Sequence, residues 1–170
     1  MKKNNIILII IVIIAIIALI GLVTIYEQQQ VKIHLTNANT YHTEAISYNA
    51  AEQNDSLSQA IIVMNTQVAP LLPKELAELQ AANTMFASSE QKQYITAAIE
   101  LNRDNVELNG ISNTAYKHYT SGDYVDAATD NSNSKNIQSN ELPLTQTLNG
   151  LVAQYPNEFG FNITGGTSSQ

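Results

Sequence analysis

The longest apolar run in the chain covers residues 6–25, near the amino terminus. It contains no charged or amide side chain, and Thr24 is its only polar residue. As an α-helix, a run of about 20 residues spans roughly 30 Å, the thickness of the hydrocarbon core of a bilayer. The sequence therefore predicts a transmembrane signal anchor over residues 6–26, preceded by a cytoplasmic terminus at residues 1–5.

The charges that flank this run predict its orientation. Lys2 and Lys3 precede it, whereas Tyr26, Glu27 and three glutamines follow it. Basic residues at the ends of a span favour the cytoplasm, so the carboxyl-terminal part is expected to be extracytoplasmic. A cleaved signal peptide is the alternative. The uncleaved anchor is favoured because the run exceeds the roughly 7–15 apolar residues of a signal peptide and lacks a small-x-small cleavage site.

Helical periodicity continues beyond the anchor. Apolar or small residues recur at steps of three, four and seven over residues 27–66, without Pro or Gly. This pattern predicts one long amphipathic helix continuous with the span. Its middle, residues 47–55, is poor in large apolar residues, so a fray, kink or polar layer is expected there. The periodic positions include Val31, Leu35, Ala38, Ala45, Ile61, Met64 and Val68.

Proline, glycine and capping residues divide the remainder into three helices. Pro70 and Pro73 are expected to end the long helix, and Pro73 to open the next one over residues 73–87. A Ser-x-x-Gln capping box at residues 88–91 predicts a third helix to about residue 119. Its apolar positions repeat every seven residues at Tyr94, Leu101, Leu108 and Ala115.

The fourth helix is predicted from Tyr124 to Pro156. It crosses an amide-rich stretch at residues 129–140 and is expected to kink or restart at Pro143. Residues 157–170 read as a flexible carboxyl-terminal tail. The fold class is therefore all-α, with one amino-terminal transmembrane helix followed, over residues 27–156, by an extracytoplasmic up-and-down bundle of three to four helices.

A short motif supports the link between the third and fourth helices. Gly122, Asp123, Tyr124 and Ala127 form a Gly-Asp-Tyr-x-x-Ala sequence. It resembles the helix-turn-helix link of tetratricopeptide repeats, in which Gly makes the turn and Tyr and Ala pack the two helices together. The resemblance covers about a dozen residues without a second copy, so it implies a helical corner rather than a repeat array.

Charge and composition exclude several classes of function. The chain has 15 acidic and 8 basic residues. Because Lys2 and Lys3 precede the anchor, the part beyond it keeps all 15 acids and six bases, a net charge of −9. Such a surface repels phosphate, so no nucleic-acid partner is expected. The absence of Cys excludes disulfides, thiolate nucleophiles and Cys-based zinc sites.

The remaining candidate residues give no catalytic motif. His34 and His42 are eight residues apart on a predicted helix, which is too far to share a metal ion, and His118 lies on another helix. No phosphate loop, dinucleotide fingerprint, Gly-x-Ser-x-Gly or His-Glu-x-x-His sequence occurs. The protein is therefore expected to lack catalytic residues, metals and cofactors. Two sequons make Asn54 and Asn162 possible glycosylation sites.

Three functional hypotheses remain. The first is a non-enzymatic interaction or scaffold protein of the cell envelope, anchored in the lipid bilayer, which binds another envelope protein or its own copy. The second is a small-ligand-binding or sensor-like module with a pocket lined by Tyr94, Tyr116, Tyr119 and Tyr124. The third, a remote alternative, is an unrecognised enzyme. The amide-rich stretches 47–55 and 129–140 are either binding surfaces or weak parts of the bundle.

Overall fold

The computed structural model describes residues 3–51 and 56–161, and all regular structure in this part is helical. A π-helical turn, Met64–Val68, follows the second helix directly. The α-helices are α1 (Lys3–Ala51), α2 (Leu57–Val63), α3 (Leu72–Asn83), α4 (Ser89–Ser121), α5 (Tyr124–Gln154) and α6 (Pro156–Phe159). The prediction of an all-helical chain with one long apolar amino-terminal helix is confirmed.

Helix α1 has two parts with different surroundings. Its apolar side chains from Ile11 to Ile25 are exposed, without packing partners among the described residues. Beyond Glu27 one face becomes buried, and Val31 and Leu35 are fully inaccessible to solvent. Within the described residues, α1 is the one helix long and apolar enough to cross a membrane. A single rigid helix thus joins the bare apolar segment to the bundle.

The chain reverses direction between α1 and α2, so the prediction of one helix over residues 27–66 is wrong. Ser56 is extended and caps α2 by accepting a hydrogen bond from the backbone amide of Gln59. The following segment runs back along α1, where Ala45 packs against Val68 and Leu71. The N-cap and the scarcity of large apolar residues before it explain why the helix stops here. Residues 52–55 lie outside the described part.

The two prolines therefore lie within the returning segment rather than at its reversal. Pro70 falls in the turn between the π-helical turn and α3, and Pro73 occupies the first turn of α3. An amide donor is not needed in the first turn of a helix, so Pro73 is well accommodated there. The direction of the chain does not change at either proline, and α3 continues to run antiparallel to α1.

Two sharper predictions about helix ends are confirmed. Ser88 and Gln91 form the reciprocal capping box that starts α4. Gly122 ends α4 in the left-handed conformation (φ +84°), and the Asp123 side chain caps α5. Helices α4 and α5 form the most extensive helix pair in the bundle. The tetratricopeptide-like motif is thus the corner of an antiparallel hairpin.

Helix α5 continues through Pro143, so a restart at this residue is not observed. Proline removes one amide donor from a helix and leaves the carbonyl four residues earlier without its partner. That earlier residue, Ser139, is exposed, so water can solvate its carbonyl. The cost of the proline is correspondingly smaller than at a buried position.

The main core lies next to the base of the apolar segment. It joins α1, α3, α4 and α5 through Leu35, Leu79, Ile95 and Val152, and it includes the fully buried Phe159 of α6. The packed structure therefore extends beyond residue 156, where the sequence placed the start of a flexible tail. Residues 162–170 of that tail lie outside the described part.

Two glycines should respond in opposite ways to replacement by Ala. Gly160 has φ +76°, and an added Cβ would lie 2.9 Å from Oγ1 of Thr36, so Gly160→Ala should destabilise the fold by about 1–2 kcal/mol. Gly150 lies within α5 with open space around it, so Gly150→Ala should stabilise by about 0.5–1 kcal/mol. Urea denaturation followed by circular dichroism measures both, and equal effects would contradict the described backbone.

Candidate functional site

The two ends of the bundle are packed differently. Near Glu27, α1 supplies Val31 and Leu35 to the same core as Leu148 and Val152 of α5. Towards its carboxyl end, α1 turns its buried face to the returning segment instead, through Ala45. The seam between α2, α4 and α5 is left open there, at the end of the bundle remote from the apolar segment.

This open seam is named the distal groove. It consists of an outer cavity of about 440 Å³ and an inner cavity of about 370 Å³, which share Met64 and Ser112. Helix α2 and the π-helical turn form one wall, α4 the floor and α5 the other wall. The main lining residues are Leu57, Ala60, Ile61, Met64, Val68, Leu108, Ser112, Ala115, Tyr116, Tyr119, Ala127, Asn131, Ser134, Gln138 and Glu141.

The lining residues of each wall follow the spacing of a helix-packing seam. On α5 they alternate by three and four residues, and on the other two walls the same steps recur with adjacent pairs among them. This spacing keeps side chains on one face of a supercoiled helix. On α5 this stripe continues the buried positions Leu148 and Val152 of the core, but in the groove it becomes polar. The α5 stripe in the groove is Ala127, Asn131, Ser134, Gln138 and Glu141.

The structure separates the four tyrosines proposed from the sequence. Tyr116 and Tyr119 line the outer cavity, and Tyr124 lies edge-on to Tyr119 with ring centroids 5.7 Å apart. Tyr94 belongs to the core at the other end, where its ring centroid is 5.0 Å from that of Phe159. Burial, together with the charge of Glu75, raises the pKa of Tyr94. Two of the four tyrosines thus line the groove, Tyr124 contacts one of them from outside, and Tyr94 is a core residue.

The structure does not place the two possible glycosylation residues, and the three histidines are not among the lining residues of the groove. Asn54 and Asn162 lie outside the described residues. Each histidine pairs through Nδ1 with a carboxylate on a neighbouring helix, and within residues 3–51 and 56–161 no group of three or more ligating side chains could hold a metal ion. The pairs are His34–Glu78 at 2.6 Å, His42–Glu75 at 3.2 Å and His118–Asp130 at 2.9 Å.

A buried polar network lies beside the core and was not anticipated from the sequence. Nδ2 of Asn102, which is fully buried, donates to the carbonyl of Leu72 and to Oε2 of Glu75, each at 3.0 Å. The other oxygen of Glu75 faces His42. The available signal was the position of Asn102 directly after the core residue Leu101 on α4. This network joins α1, α3 and α4 at the level where the core gives way to the groove.

Glu141 gives the inner cavity an acidic character. Its Oε1 is buried and accepts no hydrogen bond from the described residues. Burial, followed by the charge of Asp104, raises the pKa of the Glu141 carboxyl above its ordinary value of 4.5, and the nearby His42 opposes this rise. Among the described residues that line the groove, Glu141 is the one with an ionisable carboxyl.

The raised pKa of Glu141 predicts a pH-dependent effect on stability. The folded state holds this proton more tightly than the unfolded chain, so ionisation opposes folding as the pH rises above 4.5. Glu141→Gln should therefore be more stable than the wild type at pH 7.5, and the difference should shrink below pH 4.5. Urea midpoints at both pH values measure this, with the exposed Glu107→Gln as control. A stability gain that is equal at both pH values would contradict it.

Comparison of the chain with protein-family models, curated proteins and solved structures gives no match, so its function is inferred from its own residues.

Proposed function

We propose that this protein is a single-pass, membrane-anchored interaction protein of the cell envelope, whose extracytoplasmic bundle binds another envelope protein. The observation that carries the proposal is the combination of a bare apolar helix at one end of a rigid bundle with an open groove at the other. The first feature fixes the protein to a bilayer, and the second presents a binding surface away from it.

The exposure of the apolar segment supports the bilayer anchor. An apolar helix in the core of a soluble protein is mostly covered by its neighbours, whereas the apolar side chains of α1 from Ile11 to Ile25 are exposed. An exposed apolar surface of this size must be shielded from water, and the acyl chains of a lipid bilayer suit a helix that is apolar on every side. Lys2 and Lys3 at its start favour a cytoplasmic amino terminus.

The chemistry of the groove supports binding rather than catalysis. Its polar lining consists of amides, hydroxyl groups and the carboxyl of Glu141, with no histidine or lysine among the lining residues. General acid–base and nucleophilic catalysis place a nucleophile within hydrogen-bond reach of a base. A mixed apolar and amide surface instead provides contact area and directional hydrogen bonds, which protein recognition uses.

A small-ligand-binding module is the second candidate function. The outer cavity has a volume within the range of about 300–1,000 Å³ that small-molecule sites occupy, and Tyr116 and Tyr119 give it an aromatic wall. A thermal-shift screen of the purified protein against metabolites tests this candidate. Stabilisation by one compound, removed by Tyr119→Ala, would favour it over the interaction function.

Lysine-reactive crosslinking in the native membrane tests the interaction function. The bait is the tagged full-length protein, and the control is a chimera that joins residues 1–30 to an unrelated extracytoplasmic domain. The full-length protein should recover a specific envelope partner that the chimera does not. Equal recovery by both baits, or no protein above background with the full-length bait, would contradict the proposal.

A further inference from the structure

We propose that the distal groove receives one amphipathic helix of the partner protein, which carries a lysine or arginine opposite Glu141. This inference rests on the proposed interaction function and specifies the partner's docking segment. It follows from the arrangement of the three walls, the chemistry of those walls and the charge at the inner end.

The arrangement of the walls calls for a helix as the occupant. In the core, α1 completes a four-helix packing around α3, α4 and α5. In the groove the stripes of α2, α4 and α5 face a common space, and within residues 11–48 no side chain of α1 lines it. Side chains that alternate by three and four residues on neighbouring helices form holes for the knobs of a further helix. The groove thus has the geometry of a helical bundle from which one helix is missing.

The length of the groove sets the size of this helix. The α5 wall extends from Ala127 to Glu141 on one continuous α-helix, which corresponds to about four helical turns, or roughly 21 Å. The two cavities together accommodate the side chains of one face of the inserted helix, while its other face stays exposed to solvent. Recognition of an amphipathic helix through residues at i, i+3, i+4 and i+7 is a common mode of protein binding.

The two walls differ in polarity, so the inserted helix must be amphipathic. Leu57, Ile61 and Met64 form an apolar wall on one side. Asn131, Ser134 and Gln138 form a hydrogen-bonding wall on the other. A helix that buried only apolar side chains here would leave these amides and hydroxyls without hydrogen-bond partners, which would weaken binding. The face towards α5 should therefore carry Asn, Gln, Ser or Thr.

The charge at the inner end selects a basic residue. The Glu141 carboxyl has an unpartnered buried oxygen, Asp104 is close enough to raise its pKa, and none of the residues that line the groove is a lysine or arginine. A cationic side chain there would stabilise the ionised carboxylate and supply the missing donor. The net charge of −9 beyond the anchor would steer a basic segment towards the bundle.

A second copy of this chain does not provide a suitable helix. All six basic residues beyond the anchor lie on α1, α3, α4 or α5, the long helices that build the bundle. To insert one of them, a second copy would have to give up part of its own core. The occupant is therefore a segment of a different protein.

The absence of native Cys allows a site-specific test in the native membrane. A maleimide-linked benzophenone is attached to the full-length protein at Ser134→Cys, on the groove wall of α5, or at Ser132→Cys, on the exposed side of the same helix. After irradiation, the crosslinked peptides are sequenced by mass spectrometry. We expect Ser134→Cys, but not Ser132→Cys, to label a helical segment of another protein that contains a lysine or arginine.

A charge variant tests whether the partner places a basic side chain against Glu141. Glu141→Gln in the Ser134→Cys background should lower the crosslink yield about tenfold or more, because a buried charge pair is lost. Its expected greater stability at pH 7.5 separates this loss from misfolding. The inference would be overturned if both cysteines gave equal labelling, or if the adduct contained this chain itself, a lipid or a small molecule. It would also be overturned if no adduct formed, or if Glu141→Gln left the crosslink yield unchanged. If lysine crosslinking still recovers a partner, only the docking site is wrong.

Discussion

Replacing Phe159 by Ala is expected to lower the free energy of unfolding by about 3–5 kcal/mol, because a fully buried aromatic ring is lost and a cavity remains. The ring lies against Tyr94 and Phe161, with centroid distances of 5.0 and 6.2 Å. Its one-turn helix is also tied to α4, since Nε2 of Gln91 donates to the carbonyl of Glu158 at 2.6 Å. The carboxyl-terminal turn is thus part of the core rather than an appendage.

The matched control for this variant is Phe86→Ala. Phe86 lies in the loop before α4 with 62% of its surface exposed, so its loss should change stability by less than about 1 kcal/mol. Both variants are measured by urea denaturation of the full-length protein in detergent, followed by circular dichroism. Similar small effects for the two would mean that residues 156–161 do not close the bundle.

Replacing Asn102 by Ala is expected to destabilise the fold by about 2–4 kcal/mol. The variant loses two hydrogen bonds and leaves the Glu75 carboxylate, which is 5% exposed, without its amide donor. Oε2 of Glu75 then has no hydrogen-bond donor, although Oε1 keeps its contact with His42. A buried polar atom without a partner carries a desolvation cost in addition to the lost hydrogen bonds, so the expected effect is large for one polar side chain. Asn133→Ala, at an exposed position of α5, should have little effect.

A double-mutant cycle identifies the origin of this cost. If most of the destabilisation comes from the Glu75 carboxylate that has lost its amide donor, Asn102→Ala should lower the free energy of unfolding much less in a Glu75→Leu background than in the wild type. The coupling is obtained from the free energies of unfolding of the two single variants and the double variant. An additive result would instead assign the effect of Asn102 to lost packing.

The features that the sequence predicted correctly depend on local signals. The capping box at Ser88 and Gln91 and the left-handed Gly122 each need only a few neighbouring residues, as does the apolar run of α1. The reversal after Ala51 was not predicted because apolar positions recur at helical spacing on both sides of it, although the scarcity of large apolar residues at 47–55 and the capping residue Ser56 mark the place. Pro70 and Pro73 were correctly predicted to separate two helices, but the chain does not reverse there.

The groove could be predicted only in part, because it depends on how distant helices align. The amide-rich stretch 129–140 was recognised as a potential binding surface, but its role as one wall follows from the pairing of α5 with α4. Tyr119 lies against Tyr124 as the sequence suggested, whereas Tyr94, three turns nearer the start of α4 than the groove, packs into the core instead. Periodicity identifies the inward face of a helix, and tertiary packing decides whether that face meets a core or an open cavity.

Cysteine accessibility is the most direct test of the membrane-anchored, extracytoplasmic arrangement on which the proposed function rests. Full-length Asn136→Cys, on an exposed part of α5, and Asn4→Cys, before the apolar run, are each treated with a membrane-impermeant maleimide in intact cells. We expect Asn136→Cys to be labelled at once and Asn4→Cys only after permeabilisation, and both proteins should stay with the membrane after an alkaline wash. The opposite labelling pattern, or release of the protein by the wash, would contradict this arrangement.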